Sequence, residues 1–156
     1  MVFIRNYYVN TTQKTDILLI THDVKRAVRE SNIPNGLVTV LVPGSTAGVV
    51  LLENDPAIHE EYKKWIEKQI PEGKSPRPNR RSGSGRNEAH LRAALVGASL
   101  SIPLSEGKLM MGAWQEVLLY DFDDSKIGRR EITVQILGES AGGAGGGGGA
   151  GGESYQ

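Results

Sequence analysis

The sequence predicts a single α+β domain made mainly of antiparallel β-sheet, with three short helices. Short β-branched and aromatic runs, separated by Pro, Gly, Asn and Ser, are typical of strands joined by turns. Ile58, Tyr62, Trp65, Ile66 and Ile70 form a stripe at helical spacing, which indicates a helix packed on a core. The length of 156 residues fits one hydrophobic core and is too short for two ordinary domains.

The start of the chain predicts a hairpin followed by a helix. Residues 2–8 and 13–20 are strand-like runs joined by polar residues, which favours an opening hairpin. Thr21 is a suitable N-cap for a short amphipathic helix, and Pro34 prevents that helix from continuing.

Two apolar runs follow, with a bend of small residues between them. Residues 37–42 and 47–52 are apolar enough to be strands buried on both faces. Gly44, Ser45 and Thr46 in the bend can aim backbone N–H groups and two hydroxyls at an anion, as phosphate-binding nests do. The alternative is an ordinary turn, because Pro-Gly-Ser is common turn chemistry.

A second helix leads into a basic segment. Asp55 and Pro56 predict the helix start, with an acidic N-cap and proline at the first helical position, and Pro71 predicts its end. Residues 71–86 are rich in Pro, Gly, Ser and basic side chains, which predicts a long mobile loop.

The basic segment is a candidate cover for a phosphorylated ligand. Charge-assisted hydrogen bonds from arginine suit phosphate oxygens. RNA binding is the competing interpretation, but the segment has no aromatic residues for base stacking and the rest of the chain adds no positive charge. The cations of the segment are Lys74, Arg77, Arg80, Arg81 and Arg86, against the single acid Glu72.

Asn87 is a suitable cap for a third helix. Leu91 and Leu95 are expected to face the core, and Gly97 is expected to end the helix in a left-handed conformation.

The remaining sequence predicts closing strands and a tail. Leu100 and Ile102 alternate with polar residues, and residues 109–122 and 129–137 are expected to complete an antiparallel meander. The domain is therefore expected to span residues 1–139. Residues 140–156 are mostly Gly and Ala, which predicts a disordered tail.

Composition limits the function classes. Lys plus Arg and Asp plus Glu are 18 each, so no overall field draws the chain to nucleic acid or to an acidic membrane surface. The absence of cysteine excludes disulfides, thiolate catalysis and cysteine-ligated metals. No apolar run approaches the roughly 18 residues of a membrane-spanning helix, and the start lacks a leader pattern. We therefore expect a soluble, cytoplasmic protein without a membrane partner.

His90 is the strongest single candidate for chemistry. It lies near a helix start beside the basic segment and belongs to the residue type that titrates near neutral pH. The alternative is a structural histidine bonded to a backbone carbonyl. His22 and His59 are expected to be solvated surface residues.

Three aspartates near the end of the predicted sheet resemble a magnesium site. Neighbouring side chains of a strand point to opposite faces, however, so Asp121, Asp123 and Asp124 are interpreted as turn residues.

Residues 87–139 contain the motifs Ala89-His90-Leu91, Leu95-Val96-Gly97, Ser101-Ile102-Pro103, Glu106-Gly107-Lys108-Leu109 and Gly112-Ala113-Trp114-Gln115. With these motifs, the stretch closely resembles the YjbQ family, whose members are also called secondary thiamine-phosphate synthase-like proteins. The resemblance covers roughly residues 17–139. It implies an α+β homotrimer with pockets between subunits, and a weak activity in which a thiazole phosphate displaces diphosphate from an activated pyrimidine.

The resemblance also implies roles for residues. His90 and Glu53 would transfer protons, and Trp114 would line the pocket. Alternative interpretations are a solvated carboxylate for Glu53 and core packing for Trp114. The residues that would hold the phosphorylated substrate are Gly44, Ser45, Thr46, Asn79, Arg80, Arg81 and Arg86.

This chain departs from the family pattern at two histidines. Gly44 stands where the family has the histidine of a Pro-His-Thr-Thr-Ala loop, and Pro78 replaces the histidine of a second segment. One imidazole cannot supply a three-histidine zinc site, so we predict no metal and no cofactor. The leading alternative to an enzyme is a non-catalytic trimeric module that binds a phosphorylated or other anionic metabolite, and RNA binding is less favoured.

Overall fold

The computed structural model describes residues 1–12, 15–73, 87–123 and 128–140. Its strands are β1 (Val2–Asn10), β2 (Asp16–Leu19), β3 (Asn35–Leu41), β4 (Ala47–Glu53), β5 (Ser99–Ser105), β6 (Lys108–Leu109), β7 (Gln115–Asp121) and β8 (Arg129–Glu139). Its helices are α1 (Thr21–Ser31), α2 (Pro56–Gln69) and α3 (Glu88–Val96). The α+β class with three helices is confirmed. Residues 74–86 of the predicted mobile loop and residues 141–156 of the predicted disordered tail lie outside the described ranges.

The strands form two antiparallel sheets that face each other. One sheet has the strand order β1-β8-β3-β5-β6, and the other has the order β2-β7-β4. The main core lies between them, where fully buried Val40 and Val134 of the larger sheet pack with Val117 and Leu119 of the smaller one. Helix α1 contributes Val24, Ala27 and Val28 to the same core.

A second, smaller core covers the outer face of the three-stranded sheet. Ile66 of α2 and Ala93 of α3 pack there against Leu118, Tyr120 and Phe122. The side chains of β7 therefore alternate between the two cores, and burial on both faces explains the unbroken apolar run of residues 117–120 in this strand. No helix among the described residues is long and apolar enough to cross a membrane.

The predicted strand pairing is wrong in two places. The opening hairpin does not form, because β1 pairs along its whole length with β8 and β2 pairs with β7 in the other sheet. The predicted meander is also wrong, since β5 pairs with β3 and β6, while β7 and β8 belong to different sheets. Alternating hydrophobicity identifies the buried face of a strand but not its partner.

The prediction that residues 37–42 are buried on both faces is wrong. In β3, Val38 and Val40 are fully buried, whereas Leu37 and Leu41 are 41% and 38% exposed on the outer face of the larger sheet. The predicted inward positions of Leu91, Leu95 and Trp65 are wrong as well, because all three side chains are exposed.

Only one of the three predicted helix caps is confirmed. The Asp55 carboxylate accepts hydrogen bonds from the N–H groups of Ala57 and Ile58, at 2.8 and 3.2 Å. Thr21 is instead the first residue of α1. Asn87 does stand at the N-cap position of α3, but its side chain makes no capping hydrogen bond. Helix α3 does end at Gly97, but with φ 101° and ψ 146° this glycine lies outside the left-handed helical region.

Candidate functional site

The bend of residues 43–46 is fixed by contacts from both sheets. Thr46 is 8% exposed, and its hydroxyl accepts a hydrogen bond of 2.6 Å from Nη2 of Arg130. Its carbonyl accepts a bond of 2.9 Å from the N–H of Phe122. Ser45, which directly precedes this anchored residue, remains exposed.

Arg130 can bond the bend in a fixed position because the buried carboxylate of Asp121 orients its guanidinium. Asp121 ends β7 and is 2% exposed. Its two oxygens accept bonds of 2.9 Å from Nε and 2.7 Å from Nη2 of the guanidinium, a bidentate pair. These bonds raise the pKa of Arg130 above its ordinary value. The interpretation of Asp121 as a turn residue is therefore wrong, and the residue instead links the smaller sheet to β8 of the larger one.

Gly44 allows the guanidinium to approach the bend. A Cβ atom at this position would lie 3.0 Å from Nη1 of Arg130, which is closer than most side-chain contacts. Within the described ranges, Arg130 makes its hydrogen bonds through Nε and Nη2. Its Nη1 group therefore remains as a donor beside Gly44.

Glu53 and Trp114 lie at the opposite end of the three-stranded sheet from the bend. Glu53 is the last residue of β4 and pairs with Gln115, the first residue of β7, whereas Ala47 pairs with Asp121. Six steps of about 3.3 Å separate the two ends of β4, a distance of roughly 20 Å. Trp114 is 75% exposed beside Gln115. Glu53 and the bend therefore cannot contact one small ligand within a single protomer.

His90 is half-buried in the first turn of α3, and the start of that helix rests on the end of α2. The Glu88 carboxylate accepts a bond of 3.0 Å from the N–H of Gly73. The Arg92 guanidinium donates two bonds, of 3.1 and 2.8 Å, to the carbonyl of Ile70. The predicted ligand residues Asn79, Arg80, Arg81 and Arg86 fall outside the described residues, so their place relative to His90 stays a prediction.

His59 makes two polar contacts, one at each ring nitrogen, that the sequence did not predict. Its Nε2 lies 2.8 Å from Oδ1 of Asn54, and its Nδ1 lies 2.9 Å from the hydroxyl of Tyr120. With the Asn54 oxygen as acceptor, Nε2 carries the proton and Nδ1 accepts from Tyr120. The expectation of a solvated side chain is wrong. Burial lowers the pKa of His59, the charge of Lys63 lowers it further, and Asp55 opposes the shift.

We expect the free energy of unfolding to fall on acidification because of His59. Its pKa is lowered from 6.5 in the folded state. Below pH 6.5 the unfolded chain therefore binds a proton that the folded chain does not, and protonation favours unfolding until the pH reaches the lower folded pKa. Urea unfolding at pH 7.5 and 5.5 measures this loss, which His59→Gln should reduce. His22→Gln, at an exposed position of α1, is the control, and an unchanged pH dependence in His59→Gln would contradict the assignment.

No group of three or more His, Asp or Glu side chains in the described part of the chain is placed to hold a metal ion. The three-histidine site of the YjbQ family does not fit this chain, because Gly44, which stands at one of the histidine positions, has no side chain that could bind a metal. The chemistry open to the bend is therefore hydrogen bonding by Ser45, by backbone N–H groups and by Nη1 of Arg130.

Comparison with known proteins identifies the family. The model of the YjbQ family, described as UPF0047 protein YjbQ-like, matches residues 5–139. A UPF0047 protein of Methanocaldococcus jannaschii is 31% identical over 134 residues, covering 85% of this chain and 93% of that protein. A UPF0047 protein of Archaeoglobus fulgidus is 33% identical over 121 residues, covering 78% and 92%.

Solved structures agree in fold. The crystal structure of a YbjQ-like protein of unknown function from Sulfolobus solfataricus is similar with a TM-score of 0.81 and 32% identity, covering 89% of this chain and 99% of that one. An uncharacterised YjbQ/UPF0047 protein of Clostridium acetobutylicum gives a TM-score of 0.74 at 30% identity, covering 85% and 99%. The chain belongs to the YjbQ-like UPF0047 protein family.

Proposed function

We propose that the protein binds a phosphorylated small molecule at the bend of residues 43–46, in a pocket formed between the subunits of a homotrimer. The observation that carries this proposal is the anchoring of Thr46 by Arg130 and Phe122, which leaves Ser45 exposed on a fixed backbone. A binding loop that is already ordered loses little conformational entropy when the ligand arrives. Ser45 then donates its hydroxyl to a phosphate oxygen.

The positive charge that a phosphate requires comes from residues other than the Arg130–Asp121 pair. Arg130 and Asp121 form an ion pair and largely cancel each other, so Nη1 of Arg130 contributes a directed hydrogen bond more than a net charge. In this proposal Arg80, Arg81 and Arg86 supply the positive charge, since arginine suits bidentate contacts to phosphate.

The neighbouring subunit would complete the pocket. Because Glu53 lies about 20 Å from the bend along β4, it reaches the same ligand only from another protomer. Trp114 and Met110 on the loop before β7 are 75% and 61% exposed, and large apolar side chains exposed to this degree suit burial by a second subunit.

Light scattering coupled to gel filtration tests the proposed trimer. A monomer at micromolar concentration would contradict the pocket between subunits.

Two activities are compatible with such a pocket. The finer proposal is a weak thiamine-phosphate synthase, in which His90 and Glu53 transfer protons while the arginines stabilise the departing diphosphate. The second candidate is a non-catalytic module that binds the same class of ligand. The separation of Glu53 from the bend and the single remaining pocket histidine, out of the three in the family pattern, favour the second candidate.

We expect Ser45→Ala to weaken binding of the thiazole phosphate about ten- to a hundredfold, the loss of one hydrogen bond to a charged group. Calorimetric titration measures it. Ser99→Ala, at an exposed position of β5, is the matched control and should bind like the unmodified protein. Equal affinities in the two variants, or no saturable binding by the unmodified protein, would contradict the proposal.

Product formation from the pyrimidine diphosphate and the thiazole phosphate separates the enzyme from the binding module, since binding alone raises thermal stability without turnover. Unchanged turnover in both His90→Ala and Glu53→Ala would remove their proposed roles in proton transfer.

A further inference from the structure

A groove of about 450 Å³ lies between α1 and the turn that joins β5 to β6. Among the described residues, its lining combines three cations with an apolar floor and contains no carboxylate. The lining residues are Lys25, Val28, Arg29, Gly107, Lys108 and Leu109.

The local structure directs these side chains to one place. Lys25 and Arg29 are one helical turn apart on α1, on the face that also carries Val28. Val28 is 6% exposed, and Leu109 packs against the same core, so both supply a fixed apolar floor.

The opposite wall is a tight turn whose backbone is held in place. Gly107 has φ 77°, a conformation that favours glycine. Its N–H donates a bond of 2.8 Å to the carbonyl of Pro34, and the N–H of Glu106 donates a bond of 3.1 Å to Oδ1 of Asn35. Lys108 therefore projects from an ordered turn.

The three cations of the groove are not neutralised by the acids of α1. Glu30 accepts bonds from Arg5 at 3.2 Å and from Arg26 at 2.9 Å. Burial raises the pKa of Asp23, and the positive charge of the neighbouring Arg26 opposes that shift. Across residues 1–12, 15–73, 87–123 and 128–140, no ion pair engages Lys25, Arg29 or Lys108. Three like charges around one cavity repel each other, and an anion between them relieves that repulsion.

We propose that this groove is a second anion site, which binds a phosphate monoester carrying a small apolar group. The phosphate would contact Lys25, Arg29 and Lys108, and the apolar group would cover Val28 and Leu109. A single-stranded nucleic acid does not fit as well, because the described part of the chain places no aromatic side chain in the groove for base stacking.

The groove is separate from the bend. Asn35 at the start of β3 contacts the turn at Glu106, whereas the bend follows Leu41 at the other end of the strand. Six residue steps of about 3.3 Å place the two sites roughly 20 Å apart. The inference therefore goes beyond the proposed function and does not depend on it.

The test is a titration of the full-length protein with phenyl phosphate, followed by the amide resonances in two-dimensional NMR. We expect saturable shifts at Gly107 and Lys108, and about tenfold weaker binding in Lys25→Ala and in Arg29→Ala, each of which loses a charge-assisted contact. Inorganic phosphate should bind more weakly than phenyl phosphate, because it leaves the apolar floor uncovered.

Two controls make the outcome specific. Lys63→Ala and Lys68→Ala remove cations of α2 that do not line the groove and should leave the affinity unchanged. Ser45→Ala should also leave shifts at Gly107 intact, which separates failure at the bend from failure here. Shifts confined to residues 44–46, no saturation, or equal weakening by the α2 variants would each overturn the proposal.

Discussion

Replacing Asp121 with alanine is expected to lower the free energy of unfolding by about 3–5 kcal/mol, the usual cost of removing one partner from a buried ion pair. The side chain of Arg130 is 18% exposed, and in the variant its guanidinium would lose both bonds to the carboxylate while staying largely out of water. The N–H of Asp123 would also lose its 2.9 Å bond to Oδ1 of Asp121. Urea unfolding at pH 7 measures the effect.

The matched control removes both charges at once. The double variant Asp121→Leu with Arg130→Met replaces the pair by apolar side chains of similar size, and it should be more stable than Asp121→Ala because no buried charge is left without a partner. Equal losses in the two variants would show that packing, and not the unpaired charge, determines the cost. A loss below about 1 kcal/mol in Asp121→Ala would show that water already reaches Arg130.

The same pair links stability to the proposed function. Arg130 bonds Thr46 through Nη2, which also bonds Asp121, so releasing the guanidinium also releases the bend. We therefore infer that both variants bind phosphorylated ligands less well than the unmodified protein, even at temperatures where they remain folded. A site that depends on a fixed loop loses affinity when that loop gains freedom.

One feature of the sequence indicates that Asp121 is buried and paired with a cation. Val117 and Leu119 face the main core, and Asp121 continues the same alternation, which puts a carboxylate at a core-facing position. Buried carboxylates require a partner, so a cation was to be expected nearby. Nothing in the order of residues identifies Arg130 as that cation, because it reaches Asp121 from the other sheet.

In the fold as well, features set by neighbouring residues were predictable from the sequence, whereas contacts between residues far apart in the chain were not. The start of α2 at Asp55 and Pro56 was predictable, since an acidic cap and a proline act within one turn of helix. The pairing of β1 with β8 was not, because it joins residues more than a hundred positions apart. The exposure of Leu37 and Leu41 was also missed, because an apolar run gives no sign of which face remains uncovered.

Gly36→Ala is expected to be among the most destabilising single substitutions, with a loss of about 3–5 kcal/mol or failure to fold. Gly36 pairs directly with Gly138 between β3 and β8, two inner strands of the larger sheet. A Cβ at residue 36 would overlap the carbonyl oxygen of Leu137, and a Cβ at residue 138 would overlap the carbonyl oxygen of Asn35. These atoms belong to backbone, so only separation of the two strands makes room, and that separation breaks their hydrogen bonds.

Gly112→Ala is the matched control, because a Cβ there meets its nearest neighbour, Oε1 of Gln115, at 3.4 Å, an ordinary contact. The melting temperatures of the two variants should therefore differ by roughly 6–20 °C for a domain of this size, taking about 2–4 °C per kcal/mol. Similar melting temperatures would mean that β3 and β8 tolerate a wider separation at this pair. Glycine at positions 36 and 138 would then not be required for this strand pair. The pairing of β3 with β8 would have to depend on core packing alone, by Val38, Val40, Val134 and Ile136.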